Sequence, residues 1–81
     1  MPKSIELLVP QHLMLGARLR HYKGGLYRVE GFCLIEATME TGILYRPEQG
    51  NGTHVLWMRP ADNFDELVET DQGQVRRFMP M

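Results

Sequence analysis

Ala17-Arg18-Leu19-Arg20-His21-Tyr22-Lys23-Gly24-Gly25-Leu26-Tyr27-Arg28-Val29-Glu30-Gly31-Phe32-Cys33-Leu34-Ile35 is the stretch that decides the fold. Two runs rich in branched and aromatic residues flank a pair of glycines, which supply the positive φ angles a tight hairpin turn requires. The sequence therefore predicts strands over residues 17–23 and 26–35, joined at Gly24-Gly25. Strand alternation sends Arg18, Arg20 and Tyr22 to one face and Leu19, His21 and Lys23 to the other. Working outward, further strands are expected over residues 43–47 and 54–60, each ending at a proline that has no N–H for a ladder. Asn51-Gly52 is a favoured turn pair in the loop between them. After Pro60, Asp62 is placed to cap one helical turn that puts Phe64 and Leu67 on one side. A last hairpin is expected from 68–70 and 75–79, with its turn at Asp71-Gln72-Gly73-Gln74. Turns recur about every ten residues and no 3.6-residue stripe persists, the pattern of a small antiparallel β domain. Residues 1–15 read as an extension, in which Ser4 caps a helical turn or the apolar residues add an edge strand, and 16–81 as the domain.

Composition sets the outer bounds. Eighty-one residues make one core, with 43% hydrophobic and 23% charged residues, which argues against disorder and coiled coils. A net charge of -1 removes the uniform basic excess of many nucleic-acid and membrane-surface proteins. The single cysteine, Cys33, forbids an internal disulfide, and the N-terminus lacks the pattern of a signal peptide. The expectation is a cytoplasmic chain without membrane attachment.

The string from Arg20 through Val29, with Gly31, Glu40-Thr41, Tyr45-Arg46, Leu56-Trp57-Met58-Arg59-Pro60, Phe64 and the terminal Val75-Arg76-Arg77-Phe78, resembles a bacterial family known as domain of unknown function 1653. The resemblance covers residues 16–79 and implies a small SH3-like β-barrel, with no established activity or catalytic residues to carry over. It departs over Leu34 to Met39, where the family often has a histidine-containing string and this chain reads Ile35-Glu36-Ala37-Thr38-Met39.

Little here points to catalysis, a metal or another cofactor. His12, His21, His54 and Cys33 lie far apart without a zinc-type spacing. Cys33 sits in the apolar run Phe32-Cys33-Leu34-Ile35 and reads as packing. Ser4 is alone in the extension, and Gly50-Asn51-Gly52 is a turn rather than a dinucleotide fingerprint. Asp62, Asp65, Glu66, Glu69 and Asp71 read as a solvated acidic face. Opposing them, Arg18, Arg20, Lys23 and Arg28 form a basic run with no acid between Leu7 and Val29, interleaved with His21, Tyr22 and Tyr27. Small barrels that hold single-stranded nucleic acid combine cations with aromatic platforms in this way. The competing reading pairs these bases with the acidic segment after Pro60, at up to about 1 kcal/mol per exposed pair.

In Val55-Leu56-Trp57-Met58-Arg59, alternation separates Leu56 and Met58 from Trp57 and Arg59. The expectation is Leu56 and Met58 inward, with Trp57 partly exposed beside Arg59 and joined to Tyr45 or Tyr22 as a shallow aromatic and cationic surface. The binding residues expected from sequence are thus Arg20, Tyr22, Lys23, Arg28, Tyr45, Arg46, Trp57 and Arg59. They describe a non-enzymatic binding module for single-stranded nucleic acid. The alternative is a protein-interaction or structural adaptor, monomeric or a weak homodimer, with Leu7-Leu8-Val9 and Leu13-Met14-Leu15 outside the core.

Overall fold

A computed structural model describes residues 7–81. The chain is mainly β, with strands β1 Arg18–His21, β2 Leu26–Ile35, β3 Glu40–Pro47, β4 Trp57–Pro60, β5 Leu67–Thr70, β6 Gly73–Arg76 and β7 Phe78–Pro80. Two 3₁₀ turns, Gln11–Leu13 and Ala61–Asn63, complete it. Five strands form one antiparallel sheet in the order β4-β3-β2-β1-β7, and β5 and β6 form a separate hairpin. Among the described residues no ladder joins β4 to β7, so the sheet is open rather than a closed ring. In a flat sheet β3 and β7 would stand about 14 Å apart at the usual strand spacing. The concave face brings the rings of Tyr45 and Phe78 to 5.5 Å instead.

That concave face holds the core: Leu13, Leu19, Val29, Ile43, Tyr45, Phe64 and Phe78. Four of the rings interlock, Tyr27 edge-on to Tyr45 and Phe78, and Phe64 4.6 Å from Phe78. Burying each such side chain contributes about 1.5–3 kcal/mol before entropy is counted. Alternation along β1 and β2 operates as expected, with Leu19 and Val29 inside and Arg18, Arg20 and Arg28 outside. An irregularity between Val29 and Gly31 shifts the β2–β3 register and turns Glu30 outward.

Several expectations need correction. Tyr45 is in the core, because it faces Val29 across the β2–β3 ladder, and is no surface platform. Leu56 and Met58 do not point inward: the ladder sets Met58 opposite Leu44 on the convex side and Trp57 opposite the core residue Tyr45, and at this outermost strand all three side chains stay exposed. The Gly-Gly turn is a three-residue loop of Tyr22, Lys23 and Gly24: His21 N–H donates to Gly25 O, Gly24 N–H donates to His21 O, and only Gly24 has a positive φ, 103°. Asp62 makes no capping hydrogen bond, and Leu67 is exposed while Phe64 is buried. The single strand expected over 75–79 breaks at Arg77, whose N–H donates to Glu66 O and whose carbonyl accepts from Tyr22 N–H. The chain thereby leaves β5 and joins β1.

The expected Ser4 cap lies outside the described residues. Leu13 is fully buried, so the segment ahead of Gly16 contributes to the core rather than lying outside it. His12 Nε2 meets Asp65 Oδ2 at 2.5 Å, and Leu8 N–H donates to Thr41 Oγ1, which together lash that segment to β3 and to the turn that follows the second 3₁₀ turn.

Candidate functional site

The sequence-predicted cations separate into two populations. On the convex face, antiparallel register places Arg18 opposite Arg28 and Arg28 opposite Arg46. Three like charges in a row would repel, and two carboxylates, one in the β3–β4 loop and one at the β2 irregularity, offset most of that charge. Arg18 Nη2 and Nε bond to Glu48 at 2.8 and 3.0 Å, Arg28 Nε reaches the same carboxylate at 3.2 Å, and Arg46 lies 3.7 Å from Glu30. The hydrogen bond from Arg18 is the main reason the Glu48 carboxyl titrates below the usual glutamate range, and the reciprocal bond raises Arg18 above its ordinary value. Arg59 and Arg77 share Glu66 at 3.2 and 2.8 Å. The pairing expected with the acidic segment after Pro60 therefore holds for these two arginines, whereas Arg18 and Arg28 take Glu48.

Arg20, Lys23 and Arg76 form no ion pair among the described residues. All three line one open groove of about 820 Å³ between the tip of the β1–β2 hairpin and the β5–β6 hairpin. The near wall carries Arg20, His21, Tyr22, Lys23 and, across the β1–β7 ladder from Arg20, Met79. The far wall carries Thr70, Gln72, Val75 and Arg76, with Asp71 at its tip. Each wall owes its shape to a glycine of positive φ, Gly24 in one and Gly73 in the other. Thr70 Oγ1 accepts from Gln72 N–H and donates to Gly73 O at 2.7 Å, which closes the second hairpin.

Two rings sit on the near wall. His21 and Tyr22 have centroids 4.6 Å apart, and Lys23 Nζ is 5.7 Å from the Tyr22 centroid. His21 Nδ1 accepts the Lys23 backbone N–H at 3.1 Å, so the neutral ring carries its proton on Nε2. Burial against Phe78, 5.0 Å away edge to face, and then the nearby charges of Arg77, Lys23 and Arg59 hold the pKa of His21 below the ordinary histidine value. The trough thus brings three cations and two rings together, with one acid, Asp71, at its rim.

Of the residues expected from sequence, Arg20, Tyr22 and Lys23 come together here. Arg28 and Arg46 lie in the neutralised convex cluster, Tyr45 in the core, and Trp57 with Arg59 on the sheet's far edge. Arg76 and Gln72 escaped sequence reasoning, because only the chain reversal at Asp71-Gln72 brings β6 beside the first hairpin. Cys33 lies on the convex face against Gly42, where an added Cβ would fall 2.6 Å from its Sγ. Among the described residues no three His, Cys, Asp or Glu side chains converge as a metal site, and no helix is long and apolar enough to cross a membrane.

A family model described as "Protein of unknown function (DUF1653)" matches residues 17–80. A crystal structure of a DUF1653 protein from Bordetella bronchiseptica superposes with a TM-score of 0.67 at 26% sequence identity, covering 80% of this chain and 83% of that one. No curated protein matches.

Proposed function

The chain belongs to the DUF1653 family, and on that premise we propose that it is a non-enzymatic binding module whose groove between the two hairpins holds single-stranded nucleic acid. The observation carrying this reading is that the three cations without carboxylate partners among the described residues line one groove, beside the rings of His21 and Tyr22. Nucleic-acid phosphates carry condensed counterions, and cations free to pair with those phosphates release them, which favours binding. A tyrosine ring stacks any base, which suits binding without sequence preference. The Nε2–H of neutral His21 adds a donor that an anion can accept. In this proposal the curled five-stranded sheet and its separate hairpin are an SH3-like barrel opened between β4 and β7.

Fluorescence anisotropy with a short labelled single-stranded oligonucleotide tests the reading. Three phosphate contacts at about -0.7 each predict a slope near -2 in a plot of log affinity against log salt. Absence of binding at low salt, or an affinity indifferent to salt, contradicts it.

A further inference from the structure

The sheet has two edges, β7 and β4, and each of these strands ends in a proline that has no N–H to offer a new neighbour, Pro80 and Pro60. On β4 no lysine or acid interrupts Leu56-Trp57-Met58, and these three side chains are 47%, 52% and 47% exposed. Edge strands are ordinarily protected by charge, proline or a bulge, because their unpaired backbone groups recruit other strands. Here the first protected positions are Arg59 and Pro60, at the strand's end.

We propose that β4 pairs antiparallel with β4 of a second copy, about a two-fold axis at Met58. The strand's own chemistry selects this occupant. Centring on Met58 places Trp57 of each copy opposite Arg59 of the other, and Leu56 opposite Pro60. Trp57 and Arg59 lie on one face, since their ladder partners Tyr45 and Ile43 are both core residues. The pairing thus sets an indole beside a guanidinium on both sides of the axis, an aromatic and cationic match that isologous symmetry doubles. Arg59 is held in place for it by the hydrogen bond from its Nη1 to Glu66 at 3.2 Å. On the opposite face, Met58 continues the convex apolar surface of Leu44 and Gly42 and meets its own symmetry mate. A net charge of -1 per copy opposes the approach very little. The two hairpin grooves, at the β1–β7 side of each sheet, stay open, so this pairing and nucleic-acid binding stand or fall separately.

The full chain is examined by sedimentation and by tryptophan emission across about 1 to 500 µM, the span in which small interfaces are populated. The mass rises toward twice 9.4 kDa as concentration increases. The single Trp57, half-exposed in one copy, shifts its emission to the blue along the same isotherm. Met58→Lys abolishes both changes while its circular dichroism stays that of the parent. A chain that stays monomeric throughout overturns the proposal, whether or not its edge accepts a strand from another protein. So does a dimer that persists in Met58→Lys, or one that forms with no change in Trp57 emission.

Discussion

The convex face and the hairpin groove draw on the same basic run, yet only on the convex face does each cation meet a carboxylate. Arg18 and Arg28 are tied to Glu48, which reaches them from the β3–β4 loop and whose backbone N–H is pinned to Leu26 O. Arg20, two residues from Arg18 on the same face, has passed beyond that loop's reach and opens toward Arg76 and Lys23. An arginine's place in a composition count therefore says less about its use than whether the fold brings it a carboxylate. Neutralised cations hold strands in register, and cations left unpaired are available to a ligand.

The largest test of this division removes what both regions rest on. Phe78 is 2% exposed, packs against Tyr27, Tyr45 and Phe64 in the core, and supports His21 on the groove's near wall. Phe78→Ala is expected to cost about 3–5 kcal/mol in denaturant unfolding. It also weakens oligonucleotide binding under conditions where the protein remains folded. Unchanged affinity in the folded variant would separate the groove from the core.

A smaller effect is expected at the hairpin tip. Gly24 has φ 103° and open space around it, so Gly24→Ala meets backbone strain rather than a clash, at about 1–3 kcal/mol. Because the strain falls between Lys23 and the β2 strand, binding should drop with stability. The same substitution at Gly25, whose φ is not positive, crowds only the Tyr27 ring at 3.2 Å and leaves Lys23 in place.

The smallest effects follow from titration, and they separate the regions by pH window. His21 has a folded pKa below its unfolded value, so the unfolded chain binds the proton first. Its contribution to stability is complete above about pH 6.5 and is lost as pH falls toward the lower folded value. Over that window protonation adds a cation to the groove, so oligonucleotide affinity rises while stability falls; His21→Gln removes both trends. Glu48, also depressed, contributes on the convex face above the ordinary glutamate value, and this is lost as pH falls further through its folded pKa. Glu48→Gln deletes that acid limb of the stability profile. Melting curves and anisotropy measured over the same pH series check the two windows.

Much of this fold was legible in the sequence, and the misses share a cause. The span of β2, residues 26–35, and the alternation of Arg18, Leu19 and Arg20 follow from side-chain type and a period of two, both local properties. The sequence predicts the exposure of Trp57 but puts Leu56 and Met58 inward, because alternation separates two faces without saying which of them meets the core. Adjacency to Arg46 puts Tyr45 on the surface in a sequence reading, whereas its position opposite Val29 depends on a register set by the irregularity at Glu30. Arg20, Tyr22 and Lys23 were found because a single hairpin holds them. Arg76 was missed because a second hairpin, distant in sequence, forms the other wall.

The central claim is that unpaired cations, rather than basic residues in general, make the binding groove. Two triple variants compare them directly: Arg20, Lys23 and Arg76 changed to alanine, against Arg18, Arg28 and Arg46 changed to alanine. Both remove three positive charges, so a long-range field effect acts on both alike. Charge-assisted contacts of about 1.5–3 kcal/mol each predict at least about a hundredfold loss of oligonucleotide affinity for the groove triple, with its salt slope falling toward zero. The convex triple keeps the parent's slope near -2 and loses affinity only modestly. Equal losses in the two variants, or a greater loss in the convex one, would contradict the account.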